Sequence, residues 1–269
     1  MLLYTYFVKM KKILIISLVT ICMTFSASAY ANDPTNVKDC SEGFNRASFK
    51  FNQGLDKAIL RPIAIGYRKL PNGIRAVTSN FLNNLSNLVT IPNNALQGDM
   101  GKAATNLARL GINSTVGILG MFDVAKGMGF EKYEKEDFGQ TLGVMGSGPG
   151  CYIVLPIFGP SSPRDLVGKF IVDPYFDPFG RWTDNTNRDN ISYSKQALSG
   201  VDEFSGVVDE LRQIRKTSVD YYAAIRSLYR QKRRSEISNG QTLDLPPIPS
   251  LGYDLLPEDI EQPLAGGIR

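Results

Sequence analysis

Between Asp137 and Arg164 the chain carries twenty-six consecutive uncharged residues, Phe138 to Pro163, reading FGQTLGVMGSGPGCYIVLPIFGPSSP. Six are Gly and four are Pro. That density of breakers ends any single helix, and the backbone groups it frees are very costly in lipid. The segment is therefore not a transmembrane helix. Nor is it a solvated linker, because Leu142, Val144, Met145, Tyr152, Ile153, Val154, Leu155, Ile157 and Phe158 make it too apolar. Such a stretch packs against protein or lines something that is itself apolar.

The N-terminus sets the compartment. Lys9, Lys11 and Lys12 precede the apolar run Ile13 to Phe25 and the small-residue site Ala29-Tyr30-Ala31. Residues 1–31 thus read as a cleaved secretory signal peptide, with Met10 as an alternative start. The apolar run falls short of the about 20 residues a membrane span needs. Cys22 follows Val19, Thr20 and Ile21, and bulky Ile21 stands where a lipoprotein cleavage site has a small residue. Acylation at Cys22 is not expected. Removing residues 1–31 takes away three Lys and no acid, so 30 basic against 26 acidic residues becomes 27 against 26. That balance gives nucleic-acid binding no support. Cys40 and Cys151 remain, and an exported chain permits either one disulfide between them or two free buried thiols.

Beyond the leader, residues 32–235 read as one helical domain. Phe44, Ala47, Phe51, Leu55, Ala58 and Ile59 follow helical spacing from a Ser41 cap, and Arg61-Pro62 ends or kinks that helix. Ile74, Val77, Phe81, Leu82 and Leu85 mark a second helix, Pro92 to Leu96 a short third, and Met100 to Ile112 a fourth. A short helix is expected around 120–125 and another from Ser161-Ser162-Pro163 to Val172, broken at Asp173-Pro174 and Asp177-Pro178. Helices near 185–199 and 201–234 complete the core. Tyr152–Phe158 is strand-like, although Pro156 argues against a central strand. The fold class is all-α, a set of short amphipathic helices around an irregular Gly/Pro-rich segment. Arg212 to Arg234 carries eight basic residues against Asp220 alone, either a solvated face or a contact for anionic headgroups or an acidic partner. From Glu236 the last 34 residues hold five Pro and six acids, the composition of a disordered tail over 236–269 or of one ordered by docking.

Catalysis finds little footing. The chain has no histidine, which removes Ser-His-Asp and Cys-His catalysis and the common zinc sites. Ser147 lies between Met145 and Pro149 rather than in a G-x-S-x-G elbow, Gly101-Lys102 lacks a P-loop's context, and no G-x-G-x-x-G occurs. Glu134 and Asp137 read as salt-bridged surface carboxylates rather than an acid/base pair. No enzyme activity, cofactor or metal is expected.

The same residues resemble a known family. Glu42-Gly43-Phe44-Asn45-Arg46 with Phe49, Phe51, Asn52, Leu55 and Asp56 resembles the opening motif of the VacJ/MlaA family of outer-membrane phospholipid-transport lipoproteins. Pro62 with Gly66-Tyr67-Arg68, Ser79-Asn80-Phe81, Asn84-Leu85, Asn93-Asn94 and Leu96-Gln97-Gly98 continue it. So do Arg109, Asn113-Ser114-Thr115, Gly117, Gly120 and Phe122-Asp123-Val124-Ala125. The strongest match is the uncharged block, from Asp137 to Gly143, then Gly148-Pro149-Gly150, Leu155-Pro156, Gly159 and Ser161 to Asp165. The resemblance covers about Glu42 to Asp177.

It implies a ring of short helices lying in the periplasmic leaflet of the outer membrane around an amphipathic channel. Such proteins take phospholipid mislocalised to the outer leaflet and pass it to a soluble periplasmic carrier; they associate with porin trimers and carry out no chemical step. On that reading Met121, Phe122, Met128, Phe138, Leu142, Met145 and Tyr152 are candidate channel-wall residues, with ordinary core packing the alternative for each. Asp137, Gln140, Arg164 and Asp165 are expected to hold the ends of the uncharged segment. Asn45, Arg46, Phe49, Asn52, Gly148 and Gly150 carry structural parts of the motifs. A periplasmic lipid-binding chaperone and a porin-bound scaffold are the other functions open to such a chain.

Overall fold

A computed structural model describes residues 38–239. The signal peptide expected at 1–31, Cys22 and the expected 236–269 tail from Gly240 onward lie outside the described residues; Glu236 and Ile237, counted with that tail, belong to the last described helix. The described chain is mostly helical, in keeping with the all-α expectation, with one two-stranded hairpin.

The first helix runs farther than its sequence suggests. Helix α1 (Glu42–Leu55) passes through a π turn at Asp56–Leu60 into α2 (Arg61–Arg68), so Arg61-Pro62 does not end it. Proline lacks an N–H and its ring clashes with the carbonyl four residues back. A widened turn just ahead of it relieves that clash. The device recurs where α7 (Pro163–Val167) enters a π turn at Gly168–Val172 ahead of Pro174. Helix α3 (Asn72–Leu96) absorbs Pro92 within its length, merging two helices expected to be separate.

Helix α4 (Met100–Thr115) starts on Asp99, whose carboxylate accepts from the Lys102 amide at 2.9 Å, and packs antiparallel to α3 over most of its length. The short helix expected near 120–125 is α5 (Val124–Gly127), which starts four residues later because Asp123 caps it. Asp137 likewise caps α6 (Phe138–Val144). The strand-like run is a hairpin, β1 (Ile153–Leu155) with β2 (Gly159–Ser161), paired Ile153 to Ser161, Val154 to Pro160 and Leu155 to Gly159. Pro160, lacking a donor, sits on the outer strand.

After α8 (Asp173–Phe176) and α9 (Pro178–Asn185), α10 runs unbroken from Asp189 to Thr217, through the break expected near Gly200. The break falls instead at Ser218–Asp220, because the Asp220 carboxylate accepts from the Tyr222 and Ala223 amides and starts α11 (Tyr221–Ile237).

Polarity sets how the helices are turned. The apolar stripe that marks the first helix lies outside: Phe44, Phe51 and Ile59 are each about half exposed, whereas Asn45, Ser48 and Phe49 are buried. On α4, Met100 and Leu107 face outward while Ala103, Asn106, Arg109 and Asn113 are buried. On both helices large apolar side chains point outward and amides point inward, the reverse of a helix packed in a water-soluble core.

Candidate functional site

Three constructions organise the interior. The first is a hub where α1, the hairpin and α11 meet. Phe49, Tyr152, Val154 and Tyr222 are buried together, with Tyr221, Ile225 and Tyr229 against them. Ring centroids lie 5.4 Å apart for Phe49–Tyr222 and 6.0 Å for Tyr152–Tyr222, edge-on as ring quadrupoles favour. A disulfide joins Cys40 to Cys151 beside it, with Cα atoms 5.0 Å apart.

Two asparagines lock α1 to the strand. Asn45 donates to the Tyr152 carbonyl and accepts from the Val154 amide, both at 2.9 Å. Asn52 does the same for Leu155 and Ile157, at 2.8 and 2.7 Å. Seven helical residues advance about 10.5 Å, matching about 10 Å for the three extended residues between the two strand contacts. Their side-chain amides stand in for a neighbouring strand. Arg46, beside them, stacks on Tyr222 and pairs with Glu42 and Asp220.

The second construction is a seam between α3 and α4 made of uncharged polar side chains and one arginine. Asn84, Asn87, Thr90, Asn93 and Asn94 are buried on α3, facing Asn106, Arg109 and Asn113 on α4. Asn106 donates to Asn94 at 2.8 Å, and Asn84 to Ser114 at 2.9 Å. Thr141 of α6 donates to Asn93 at 2.8 Å, tying the uncharged segment to the seam. Arg109 reaches Asp123 through two contacts of 2.9 and 2.8 Å and the Glu131 carbonyl at 2.8 Å. Asn113 bridges Asp123 and the Ala125 amide. Burial raises the Asp123 carboxyl, but hydrogen bonds from Asn113, the Lys126 amide and Arg109 outweigh it and hold it below the ordinary range. A polar cavity of about 30 Å³ among Asn84, Asn87, Arg109 and Tyr133 suits one bound water.

The third is a carboxylate–arginine clamp at the ends of the uncharged segment. Arg233 of α11 makes two contacts with Asp137 at 2.9 Å and two with Asp165 at 2.9 and 3.0 Å. Tyr229 donates to Asp165, and Arg164 reaches Asp165 and the Ser147 carbonyl, each at 3.2 Å. Burial raises Asp165, but the Arg233 and Arg164 charges overcome it and hold the carboxyl low. Gln140 donates to the Lys135 carbonyl at 3.2 Å. A Cβ on Gly168 would lie 2.3 Å from the Gly139 nitrogen, so α6 and the second π turn meet backbone to backbone. Gly150 takes a positive φ of 75° against Pro163, while Gly148 is exposed.

Two carboxyls beside the clamp are pushed toward neutrality. Burial raises Glu136 to about 7 against the donor Gln97, and Asp173 to about 6 against the Phe138 amide. Glu134 and Asp137 turn to different cations, Lys102 and Arg233. Five of the eight basic residues between Arg212 and Arg234, namely Arg212, Arg215, Arg226, Lys232 and Arg233, pair with acids of this chain. Among the described residues no cluster of His, Cys, Asp and Glu is arranged to hold a metal. The interior is equipped to hold backbone and water, and its charges are spent on one another.

Outside this frame the surface is apolar. Met121, Phe122, Met128 and Met145 are exposed, Phe138 and Leu142 are half-buried, and Tyr152 is 2% exposed within the hub. The seven candidate wall residues thus divide between surface and core. Ile63, Leu70, Leu198 and Val201 line an open groove of about 600 Å³ between α2 and α10. The seam itself escaped sequence reasoning, though a signal was present. Residues 76–98 carry no charge and six Asn, too polar for an ordinary core and too uncharged for an ordinary surface.

Known proteins share this architecture. The chain is 34% identical over 216 residues to the intermembrane phospholipid transport system lipoprotein MlaA of Escherichia coli, covering 78% of this chain and 82% of that one. It is 30% identical to the protein of the same name in Haemophilus influenzae, over 94% and 98% of the two chains. An uncharacterized protein of Rickettsia bellii is 33% identical, over 82% and 86%. A solved structure presented as a structural basis for maintenance of bacterial outer membrane lipid asymmetry superposes with a TM-score of 0.65 at 31% identity. It matches over 77% of this chain and the whole of that one. The MlaA lipoprotein family model matches residues 37–236. The chain belongs to the MlaA lipoprotein family.

Proposed function

We propose that this protein takes part in intermembrane phospholipid transport as the outer-membrane component. It removes phospholipid from the wrong leaflet through an amphipathic channel and hands it to a periplasmic carrier, docked meanwhile beside a porin trimer. The observation that carries this reading is the reversed polarity. Asparagines, threonines and a clamped arginine fill the interior, while Phe44, Phe51, Ile63, Leu107 and Phe122 are left exposed. In water that arrangement wastes apolar area; in a lipid leaflet it is the favourable one. No described helix is long and apolar enough to cross a membrane, and exposed apolar faces on short helices support a placement within one leaflet. Tyr175, Trp182 and Tyr193 are exposed aromatics of the kind that sit at headgroup level.

Transport of this kind needs shielding rather than reactivity. Each acyl CH₂ exposed to water costs about 0.8 kcal/mol, so a two-chain phospholipid crossing unshielded faces a barrier on the order of 20 kcal/mol. A rigid polar frame with apolar, methionine-bearing outer loops meets that need. Deleting the gene tests the reading. Surface-exposed phospholipid and sensitivity to detergent with EDTA are expected to rise, and the intact gene to restore both. Unchanged surface phospholipid in the deletion strain would remove the transport reading.

A further inference from the structure

The loop between α4 and α5 holds an unfavourable backbone. Ile118 and Leu119 have φ of 52° and 56°, a region that β-branched and bulky residues avoid. Strain of this sort persists only where the surroundings enforce it. Here they do. A Cβ on Gly117 would lie 2.3 Å from the Phe122 carbonyl oxygen, and one on Gly120 would lie 2.3 Å from the Asn84 Cβ. The loop is pressed against its own base with glycine at both contacts.

The result of that enforcement is an apolar tip. Ile118 is 57% and Leu119 63% exposed, with Val116 and Phe122 beside them also exposed. No charge occurs from Leu110 to Phe122, and Asp123 is turned beneath the loop onto Arg109 at 2.8 Å.

A second observation indicates the medium around that tip. The amides of Val116 and Gly117 donate to Ile112, Leu119 to Ser114 at 3.0 Å, and Gly120 to Asn113 at 2.7 Å. Met121 donates to Ile118, and Phe122 to Gly117 at 2.9 Å. The carbonyls of Leu119 and Met121 accept from Asn84 and Asn80 at 3.4 and 3.3 Å. A loop in water has no need of so many internal partners, because water supplies them. Hydrocarbon supplies none and demands that they be found within the chain.

We propose that residues 116–122 form a membrane-insertion wedge whose Ile118 and Leu119 side chains enter the acyl-chain region of a phospholipid bilayer. This rests on the leaflet placement proposed above and adds the segment that enters deepest. A protein groove is the rival occupant. It is disfavoured because the tip is convex and leaves few backbone groups for a partner to pair with.

Asparagine tolerates the left-handed region, so Ile118→Asn/Leu119→Asn separates strain from apolarity. The purified full-length double variant should keep or raise its melting temperature in detergent. Its partitioning into protein-free phosphatidylethanolamine/phosphatidylglycerol vesicles, read by flotation, should fall about tenfold or more. In a Trp182→Phe background, Leu119→Trp emission should be quenched by lipids labelled mid-chain and poorly by aqueous acrylamide. Wild-type partitioning in the double variant, or quenching by acrylamide alone, overturns the wedge while leaving membrane association standing. Wild-type protein that fails to float removes both. Retention in native membranes that depends on the loop, without mid-chain quenching in vesicles, assigns the tip to a protein groove and also overturns the proposal.

Discussion

Around Tyr152 the molecule is built as water-soluble proteins are, with aromatic rings packed edge to face and a disulfide across α1 and the hairpin. Between α3 and α4 it is built the opposite way: amides and one arginine meet inside beside Leu82, and Ile74, Leu96, Met100 and Leu107 point out. The hub draws stability from removing apolar area from water. The seam draws little from that source and relies on side-chain hydrogen bonds, each modest in net value but costly to leave half-made. The difference teaches that the surroundings hold the two halves differently. On the proposed leaflet placement, taking the protein out of lipid would cost the seam's outward face and leave the hub nearly unchanged.

Substitutions that strike one side only probe that contrast. Phe49→Ala opens a cavity in the hub between Tyr221 and Tyr222. It is expected to cost about 3–5 kcal/mol by denaturant titration, with the same loss in detergent and in lipid nanodiscs; a loss confined to detergent would undo the contrast. Asn113→Ala leaves Asp123 and the Ala125 amide short of a partner and should cost about 2 kcal/mol by the same measurement. A neutral result there would mean that water replaces the amide freely and that the seam is open rather than dry.

Glu136 sharpens the same point through pH. Burial lifts its folded-state carboxyl from 4.5 to about 7, so the native state holds a proton that the unfolded chain gives up. Its contribution is complete below about pH 4.5 and lost as pH rises through 7. Glu136→Gln should therefore gain on wild type across that window and level off above it, ending more stable by on the order of 1–2 kcal/mol. Asp173 continues to titrate near 6 in both proteins, so the difference curve isolates Glu136. Parallel curves would place Glu136 in contact with solvent. The smallest effect is expected at the centre of the hub. The Tyr152 hydroxyl is buried with no hydrogen-bond partner among the described residues, so Tyr152→Phe should leave stability within about 0.5 kcal/mol. A loss above 1 kcal/mol would show that the hub, too, relies on a polar contact.

The sequence was informative about pieces and silent about orientation. The start of α7 at Ser162-Pro163 was legible because a hydroxyl ahead of a first-turn proline has few other uses. Asp137, by contrast, reads only as an anchor of the uncharged segment, and its helix was not foreseen. The first-helix motif led to Asn45 and Asn52 through family likeness; no local rule says that two amides seven apart grip a strand. The sign of amphipathicity was left open on α1 and α4, because periodicity locates an apolar face without saying what covers it. The Asn-rich, charge-free run of α3 was the available warning. Gly200 and Pro92 looked like stops and were not, since packing overrides weak local preference.

The π turn at Asp56–Leu60 has a consequence for how this helix tolerates change. Five α-helical turns take about 18 residues, so the side of the helix bearing Asn45 and Ser48 should return at Ile63 and Gly66. It returns at Ala64 and Tyr67, which are buried, while Ile63 and Gly66 are exposed. The single additional residue acts as a phase shifter, realigning α2 with the interior after the proline. By the same count, deleting one residue from that turn would leave an ordinary α-helix with Ala64 and Tyr67 still facing inward, whereas inserting one would turn both away from the interior. This stretch can be shortened by one residue but not lengthened.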